Sequence, residues 1–515
     1  MKYFIKKLVH TCGLLLMIGI FSCEEELPRY ANFTDYTYSG IDEGGGSWSP
    51  VLLNEGSQIV ISTPADITST SYQTELDELR SETNDLTNDQ MEAINYWTSN
   101  PTIRWNEIAL ELVAKYNLIP GPNEDGTYTL PNPGNPEGPP AFPFAHPPYA
   151  VRVFAYLGAA QFDGLISAWH YKYLYNRPSP YEVDQTIPVA YSKNNIPSYP
   201  SDGAVIAAVS RDILTTMFPL EADYLQSKAD EHMASLQWAG INVSSDISAG
   251  ETIGEQIAEI ALTRASGDGM SKAQCPKHVS DSIKASAFAR YGWQWDNLEV
   301  PTRPVGLTPL FSQVQMWNVP SLEEVRPAEP PAPGSREYEE NVDELVYYME
   351  NMTEEWRRIA NFWQDGLGTY TPPGHWNRIA NEYIVKYRLN PLRTARLFAY
   401  LNMAMMDGGI SCWDAKYYYH YPRPIQTIPG YKTIAGTPNF PSYTSGHSVF
   451  SAAAAEVLTY IFPEEGSKFR DWALEAAESR VYGGIHWRFD AEVGTAQGIN
   501  VAEYTINVAK NDGAD

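Results

Sequence analysis

The chain repeats itself, and that repeat limits its fold more than any other feature. "VRVFAYLGAAQFDGLISAWHYKYLY" (151–175) lies over "ARLFAYLNMAMMDGGISCWDAKYYY" (395–419) at an offset of 244. The same offset carries "IPSYPSDGAVIAA" (196–208) onto "FPSYTSGHSVFSA" (440–452), "ASLQWAGINVSSD" (234–246) onto "ESRVYGGIHWRFD" (478–490), and Gly250 and Gly254 onto Gly494 and Gly498. Upstream the register shifts: "RWNEIALELVAKYNL" (104–118) pairs with "HWNRIANEYIVKYRL" (375–389), and the Pro-rich insertion at 126–148 absorbs the difference. A long stretch held at one offset marks an internal duplication.

Between the punctuation the segments read as helices. Ile379, Tyr383, Ile384 and Tyr387 fall at helical spacing, and "VFSAAAAEVLTYIF" is rich in helix formers. Alternating strand patterns are scarce. The expected fold is all-α: two related helical bundles packed about a pseudo-twofold axis. The expected boundaries are a signal peptide at 1–22, an extended tether at 23–60, a degenerate N-terminal bundle at 61–300, a Pro-rich linker at 301–335 and a catalytic C-terminal bundle at 336–515. With 515 residues, 43% of them hydrophobic, there is ample material for such a core.

The formal charge of −27 argues against nucleic acid or an anionic membrane face as a partner. An anion site in such a protein must build its own positive patch. The start of the chain reads as an address: a basic "MKYFIKK", a short apolar "LLLMIGIF", then Ser22-Cys23 and three glutamates. It resembles a lipobox, which implies lipidation of Cys23 and an outer-membrane lipoprotein on the periplasmic or cell-surface face. Only Cys275 and Cys412 remain besides Cys12 and Cys23, so a disulfide framework and a CxxC metal cluster are excluded, while one 275–412 bridge stays open.

The duplication also supplies an internal control. Structural residues should survive in both copies, whereas chemistry need survive in only one. Trp169/Trp413, Lys172/Lys416, Ser201/Ser445 and Asp246/Asp490 persist. Arg423, His447, Arg480 and His486 instead face Ser179, Gly203, Leu236 and Asn242, and Asp365 faces Ser99. Two arginines, two histidines and a carboxylate are therefore missing together from the first copy. Lys416, Arg423 and Arg480 suit a tetrahedral oxyanion, with Ser445 adding a hydroxyl and Gly446 an approachable backbone N–H. If a helix starts there, its N-terminus favours the same anion. Two imidazoles on separate segments permit one to attack or ligate the central atom and the other to move protons, both poised near neutrality. His146, His170, His232, His278, His375 and His420 read as ordinary structural histidines.

"KYYYHYPRP" (416–424), "PSYTSGH" (441–447) and "SRVYGGIHWRFD" (479–490) resemble the three motifs of the superfamily uniting type 2 phosphatidic acid phosphatases with vanadium-dependent haloperoxidases. Thr444 stands where that pattern usually has proline. The resemblance implies that Lys416, Arg423, Ser445, Gly446 and Arg480 hold the oxyanion. It makes His486 the vanadium ligand of a peroxidase or the nucleophile of a phosphatase, and His447 its acid–base partner. Asp365 and Asp490 would orient an imidazole or guanidinium. Trp413, "HWRFD" and "FWQDG…TPPGHW" look more like the soluble haloperoxidases, and Phe440 replaces a histidine frequent in bromide-type members. No run of 18 apolar residues follows the leader, unlike in the membrane-embedded phosphatases. The implied cofactor is vanadate, with hydrogen peroxide and a halide as substrates. The alternatives are an acid phosphatase acting on a phosphate ester through a phosphohistidine, and a non-catalytic oxyanion-binding lipoprotein. A homodimer stays open.

Overall fold

The computed structural model describes residues 36–514, so the leader and Cys23 lie outside the described residues. Every regular element among these residues is helical. Five helices recur in each half: α1 (Pro101–Tyr116), α2 (Pro147–Tyr175), α3 (Asp202–Met217), α4 (Ala222–Trp238) and α5 (Ser244–Gly267), then α6 (Thr371–Tyr387), α7 (Pro391–Tyr419), α8 (Gly446–Ile461), α9 (Gly466–Tyr482) and α10 (Arg488–Ala509). The last four of each set begin at the 244-residue offset read from the sequence.

Twin helices start and stop for twin reasons. Pro147 and Pro391 occupy the first helical position, where a missing N–H costs nothing, and His146 and Asn390 cap the helices by accepting from Tyr149 and Arg393 N–H. Asn176 and His420 end them in the left-handed region. Both helices are apolar nearly all round and buried along almost their whole length, so they form the centre of the molecule. They pack on each other more extensively than any other pair. At Gly158 a side chain would strike the backbone of Phe398 at 2.8 Å, so only glycine allows this approach. Gly498 does the same for α10 against α8, where a Cβ would lie 2.4 Å from the Val449 carbonyl.

The two halves therefore share one core. Two expectations need correcting here. Residues 36–60 are no tether in the described part, because Trp48, Leu53 and Ile59 are buried against the first half. The 301–335 segment is no free linker, because Leu307, Phe311, Val319 and Val325 are buried too. Both are straps held the same way. Asp163 in α2 accepts the N–H groups of Val51, Leu52 and Leu53 at 2.6–2.8 Å, and its twin Asp407 in α7 accepts those of Trp317, Asn318 and Val319 at 2.7–3.1 Å. Trp169 Nε1 donates to the Ile41 carbonyl, and Trp413 Nε1 to that of Leu307. Proline content suggested a linker, but a buried carboxylate facing three consecutive amides decides the matter. Burial pushes both carboxyls up to about 6 while the three N–H donors pull the other way.

A second twin pair closes each half. Arg152 and Tyr156 bond Asp268, and Arg396 and Tyr400 bond Asp512, each arginine also reaching a carbonyl of the last helix at Ala265 or Ala509. Cys275 and Cys412 are both buried free thiols, which closes the disulfide option. No helix among the described residues is long and apolar enough to cross a membrane.

Replacing Asp407 with alanine strands three backbone donors, so chemical denaturation is expected to show a loss of roughly 2–5 kcal/mol. Asp163→Ala should cost a similar amount, since its strap is held identically.

Candidate active site

Five segments of the second half converge: the last turn of α7, the turn after it, the loop before α8, the end of α9 and the 485–490 turn. Lys416, Arg423, Arg480 and His486 are all buried there, each at 2% exposure or less. The Lys416 ammonium organises the loop, donating to the carbonyls of Pro441, Ser442 and Thr444 at 3.0, 2.9 and 2.5 Å. Its twin Lys172 reaches Pro197 and Ser198, the corresponding carbonyls. The Tyr443–Thr444 peptide is cis, as is Tyr199–Pro200, so threonine keeps the conformation that proline has in the first half.

Arg423 is held by the carbonyls of Phe440 and Ile485, and its Nη1 also lies 3.0 Å from His486 Nε2. Because a guanidinium only donates, Nε2 must accept, and the ring proton sits on Nδ1. His486 Nδ1 donates to Asp490 Oδ2 at 2.8 Å, and the same oxygen accepts from Ser442 Oγ and the Trp487 N–H. The result is an imidazole with one fixed tautomer and a lone pair on Nε2 beside a cation. Asp490 thus fixes the orientation of the His486 ring. Asp365 sits elsewhere: its carboxylate meets His375 Nδ1 at 3.1 Å and acts on Arg480 through charge.

Arg480 donates to the Ala360 carbonyl through Nη2 and to Ser479 through Nε, leaving Nη1 without an acceptor among the described residues. His447 is partly exposed, whereas His486 is buried. Its Nε2 faces the Gln364 carbonyl at 3.3 Å, which places the proton on Nε2 and leaves Nδ1 basic. Ser445 caps α8 by accepting the Ser448 N–H. Gly446 and His447 open the helix, so their N–H groups have no intrahelical acceptor. Phe440 and Trp413 line the wall, their rings 5.0 Å apart, with Lys416 Nζ 5.0 Å and the Arg423 guanidinium 5.1 Å from the Phe440 ring.

Electrostatics tie the group together. Burial lowers Lys416 to about 7 and Arg423 and Arg480 each to about 10, and Arg423 depresses Lys416 further. Asp490 is raised to about 6 by burial and still ionised at neutral pH. Three buried cations thus stand against one buried carboxylate at the centre. Such an excess is costly unless an anion joins it. Both histidines are pushed well below the usual imidazole range, by burial first and then by cations: Arg480 for His447, Arg423 and Lys416 for His486. These shifts favour the neutral form of both rings.

The first half shows what loss of the site looks like. Asp202, at the position of Gly446, pairs with Lys172 at 3.0 Å. Arg177 fills the space near Asp246 and bonds it. Leu236 covers Gly203, and Asn242 bonds Ser201 and Ser198. The remaining cavity is about 70 Å³. Its cations are already neutralised.

Residues 396–513 match the family model of the PAP2 superfamily. Over 244 residues the chain is 22% identical to a vanadium chloroperoxidase of Curvularia inaequalis, covering 30% of this chain and 40% of that one. Over 116 residues it is 30% identical to a non-specific acid phosphatase of Salmonella typhi, covering 22% of this chain and 46% of that one. The chain spans less than half the length of these curated relatives. A solved structure titled as the first bacterial vanadium-dependent iodoperoxidase superposes with a TM-score of 0.57 at 25% identity, covering 70% of this chain and 91% of that one. Residues 396–513 thus belong with the PAP2 superfamily, whose motifs the sequence resembles.

Sequence reasoning passed over two superfamily-site neighbours. His375 was set aside as structural, yet it binds Asp365 and stacks on Trp363 at 4.5 Å. Its place in "TPPGHW", opposite Arg104 of the first copy, was the available signal. Ser442, the counterpart of Ser198, also borders the site, its Oγ donating to Asp490.

Lys416 must carry its proton to attract an anion. Since its pKa in the free protein is only about 7, sulfate affinity is expected to fall as pH rises above neutrality, with proton uptake on binding. Sulfate keeps its own charge across that range. Calorimetry in buffers of different ionisation enthalpy checks this. Lys416→Met should flatten the profile and Lys172→Met should leave it unchanged.

Proposed function

We propose that this chain is a vanadium-dependent haloperoxidase that oxidises a halide with hydrogen peroxide. The observation that carries this is the extent of the likeness to the iodoperoxidase structure. At 70% of 515 residues it exceeds either half of the repeat, so it takes in both. The match to the acid phosphatase is confined to 116 residues. Iodide is accordingly the halide to test first.

The donor set fits vanadate. His486 Nε2 offers a lone pair, Arg480 Nη1 and the opening N–H groups of α8 offer unpaired donors, and the buried positive excess calls for an anion. Arg480, Ser445, Gly446 and His486 would hold it by contact, and Lys416 and Arg423, whose donors already reach carbonyls and His486, would hold it through their charge. Bound vanadate would supply Lewis-acid activation of peroxide toward halide without changing its own oxidation state. The protein does the rest. Asp490 keeps the His486 proton on Nδ1, so Nε2 stays available and charge arising on the ring is stabilised. The three cations would draw electron density away from the oxygens of a bound oxyanion. His447, with its proton on Nε2 and an unprotonated Nδ1, would accept a proton from incoming peroxide.

The second reading is an acid phosphatase, which the 30% identity supports. There His486 would attack phosphorus and His447 would protonate the leaving alcohol. That role needs a protonated His447, whereas burial beside Arg480 favours the neutral ring.

The protein reconstituted with vanadate is expected to turn over iodide and peroxide, with little hydrolysis of nitrophenyl phosphate by the vanadate-free form. His486→Ala should lower iodide turnover by at least about a hundredfold, whereas Asn242→Ala should leave turnover per folded molecule unchanged. Phosphatase activity alone would reverse the assignment, and activity in neither assay would make the chain a binding protein.

A further inference from the structure

Thirty residues (117–146) connect α1 to α2, whereas three (388–390) connect α6 to α7. The long connection encloses a cavity of about 610 Å³ that has no part in the oxyanion site. Its walls are Leu130, Phe142 and Phe144 of the insertion, Tyr149 of α2, Leu262 of α5 and Val305 of the second strap. This size suits a small organic ligand.

The repeat shows why the space is open. The straps correspond at an offset of 266, since Val51 and Trp317 bond the twin aspartates and Ile41 and Leu307 the twin tryptophans. Thr308 is therefore the twin of Asp42, and both lie in the left-handed region, at φ 41° and 49°. In the other half Asp42 closes its place with an ion pair, taking Arg393 Nε and Nη2 at 2.8 and 2.6 Å and Asn390 Nδ2 at 2.6 Å. Here the three partners are Thr308, Tyr149 and His146. Tyr149 turns its hydroxyl away to the Met217 carbonyl, and Thr308 Oγ1 is buried with no hydrogen-bond partner among the described residues. His146 accepts the Tyr149 N–H at Nδ1, which puts its proton on Nε2. Burial holds that ring neutral, with its pKa lowered to about 3. A closing ion pair has thus been exchanged for uncharged donors around an apolar space.

The charges lining the cavity are already spent. Arg303 pairs with Glu299, Lys277 with Asp281 and Arg152 with Asp268. An anion would gain little here, in contrast to the cage around His486. We propose that this cavity is a second ligand site, for a neutral apolar organic molecule carrying one hydrogen-bond-accepting oxygen that meets Thr308 and His146. It lies behind the catalytic wall, because the Leu307 carbonyl accepts from both Trp413 Nε1 and Tyr417 OH at 3.1 and 2.9 Å.

The test uses prodan, a neutral naphthyl ketone whose emission shifts to the blue in apolar surroundings, titrated into the full chain. Saturable binding with a blue shift is expected, tighter than that of the anionic anilinonaphthalene sulfonate. Leu262→Trp and Val305→Phe, both at partly exposed positions, fill the space and should weaken prodan by at least about tenfold. Thr308→Val and His146→Asn, the latter keeping a good helix cap, should each weaken it roughly three- to tenfold. His486→Ala should leave it unchanged. Thermal melting identifies which filling variants fold, and either one that folds suffices. No saturable binding, binding indifferent to the filling variants, or loss of prodan on adding sulfate would overturn the proposal.

Discussion

The second half is built around one buried ammonium. Lys416 spends all three of its donors on the carbonyls of Pro441, Ser442 and Thr444, and so bends the loop before α8 around itself. That loop delivers Ser445, Gly446 and His447 to the start of the helix. Arg423 repeats the tactic by gripping the carbonyls on either side, Phe440 and Ile485. The cations are first scaffold and then charge. Their depressed pKa values record the cost of burying them without a matching anion.

The first half carries the same ammonium on the same carbonyls and yet holds no anion cage. The difference lies in what surrounds it. Asp202 supplies an internal counter-charge, Arg177 satisfies Asp246, and Leu236 and Asn242 replace the arginine and histidine. Scaffold and function thus separate cleanly between two copies of one fold. The same comparison locates the cavity under the Pro-rich insertion, where an ion pair in one half becomes uncharged donors in the other.

Much of the site was legible before any coordinates. Arg423, Arg480, His447 and His486 stood out because the first copy lacks them, and Lys416 because it completes a set of cations suited to an oxyanion and opens the first of the three motifs. The straps were not legible. Proline and glycine dominate 301–335, and local composition says nothing of a carboxylate waiting on α7 some ninety residues away ("WNV" at 317–319 against Asp407). His375 was missed for a related reason: a lone histidine acquires meaning only from Asp365, and the turn that joins them is set by the fold.

The sequence by itself determined the repeat, the helical fold and the list of charged groups that one copy keeps and the other lost. These are properties of residue type and spacing, which survive without knowledge of packing. Only the tertiary structure decided which nitrogen of His486 carries the proton, that burial and neighbouring cations disfavour charge on both imidazoles, and that Asp365 meets His375. Protonation and tautomer depend on burial and on partners distant in the chain, and those exist only once the core has closed around them.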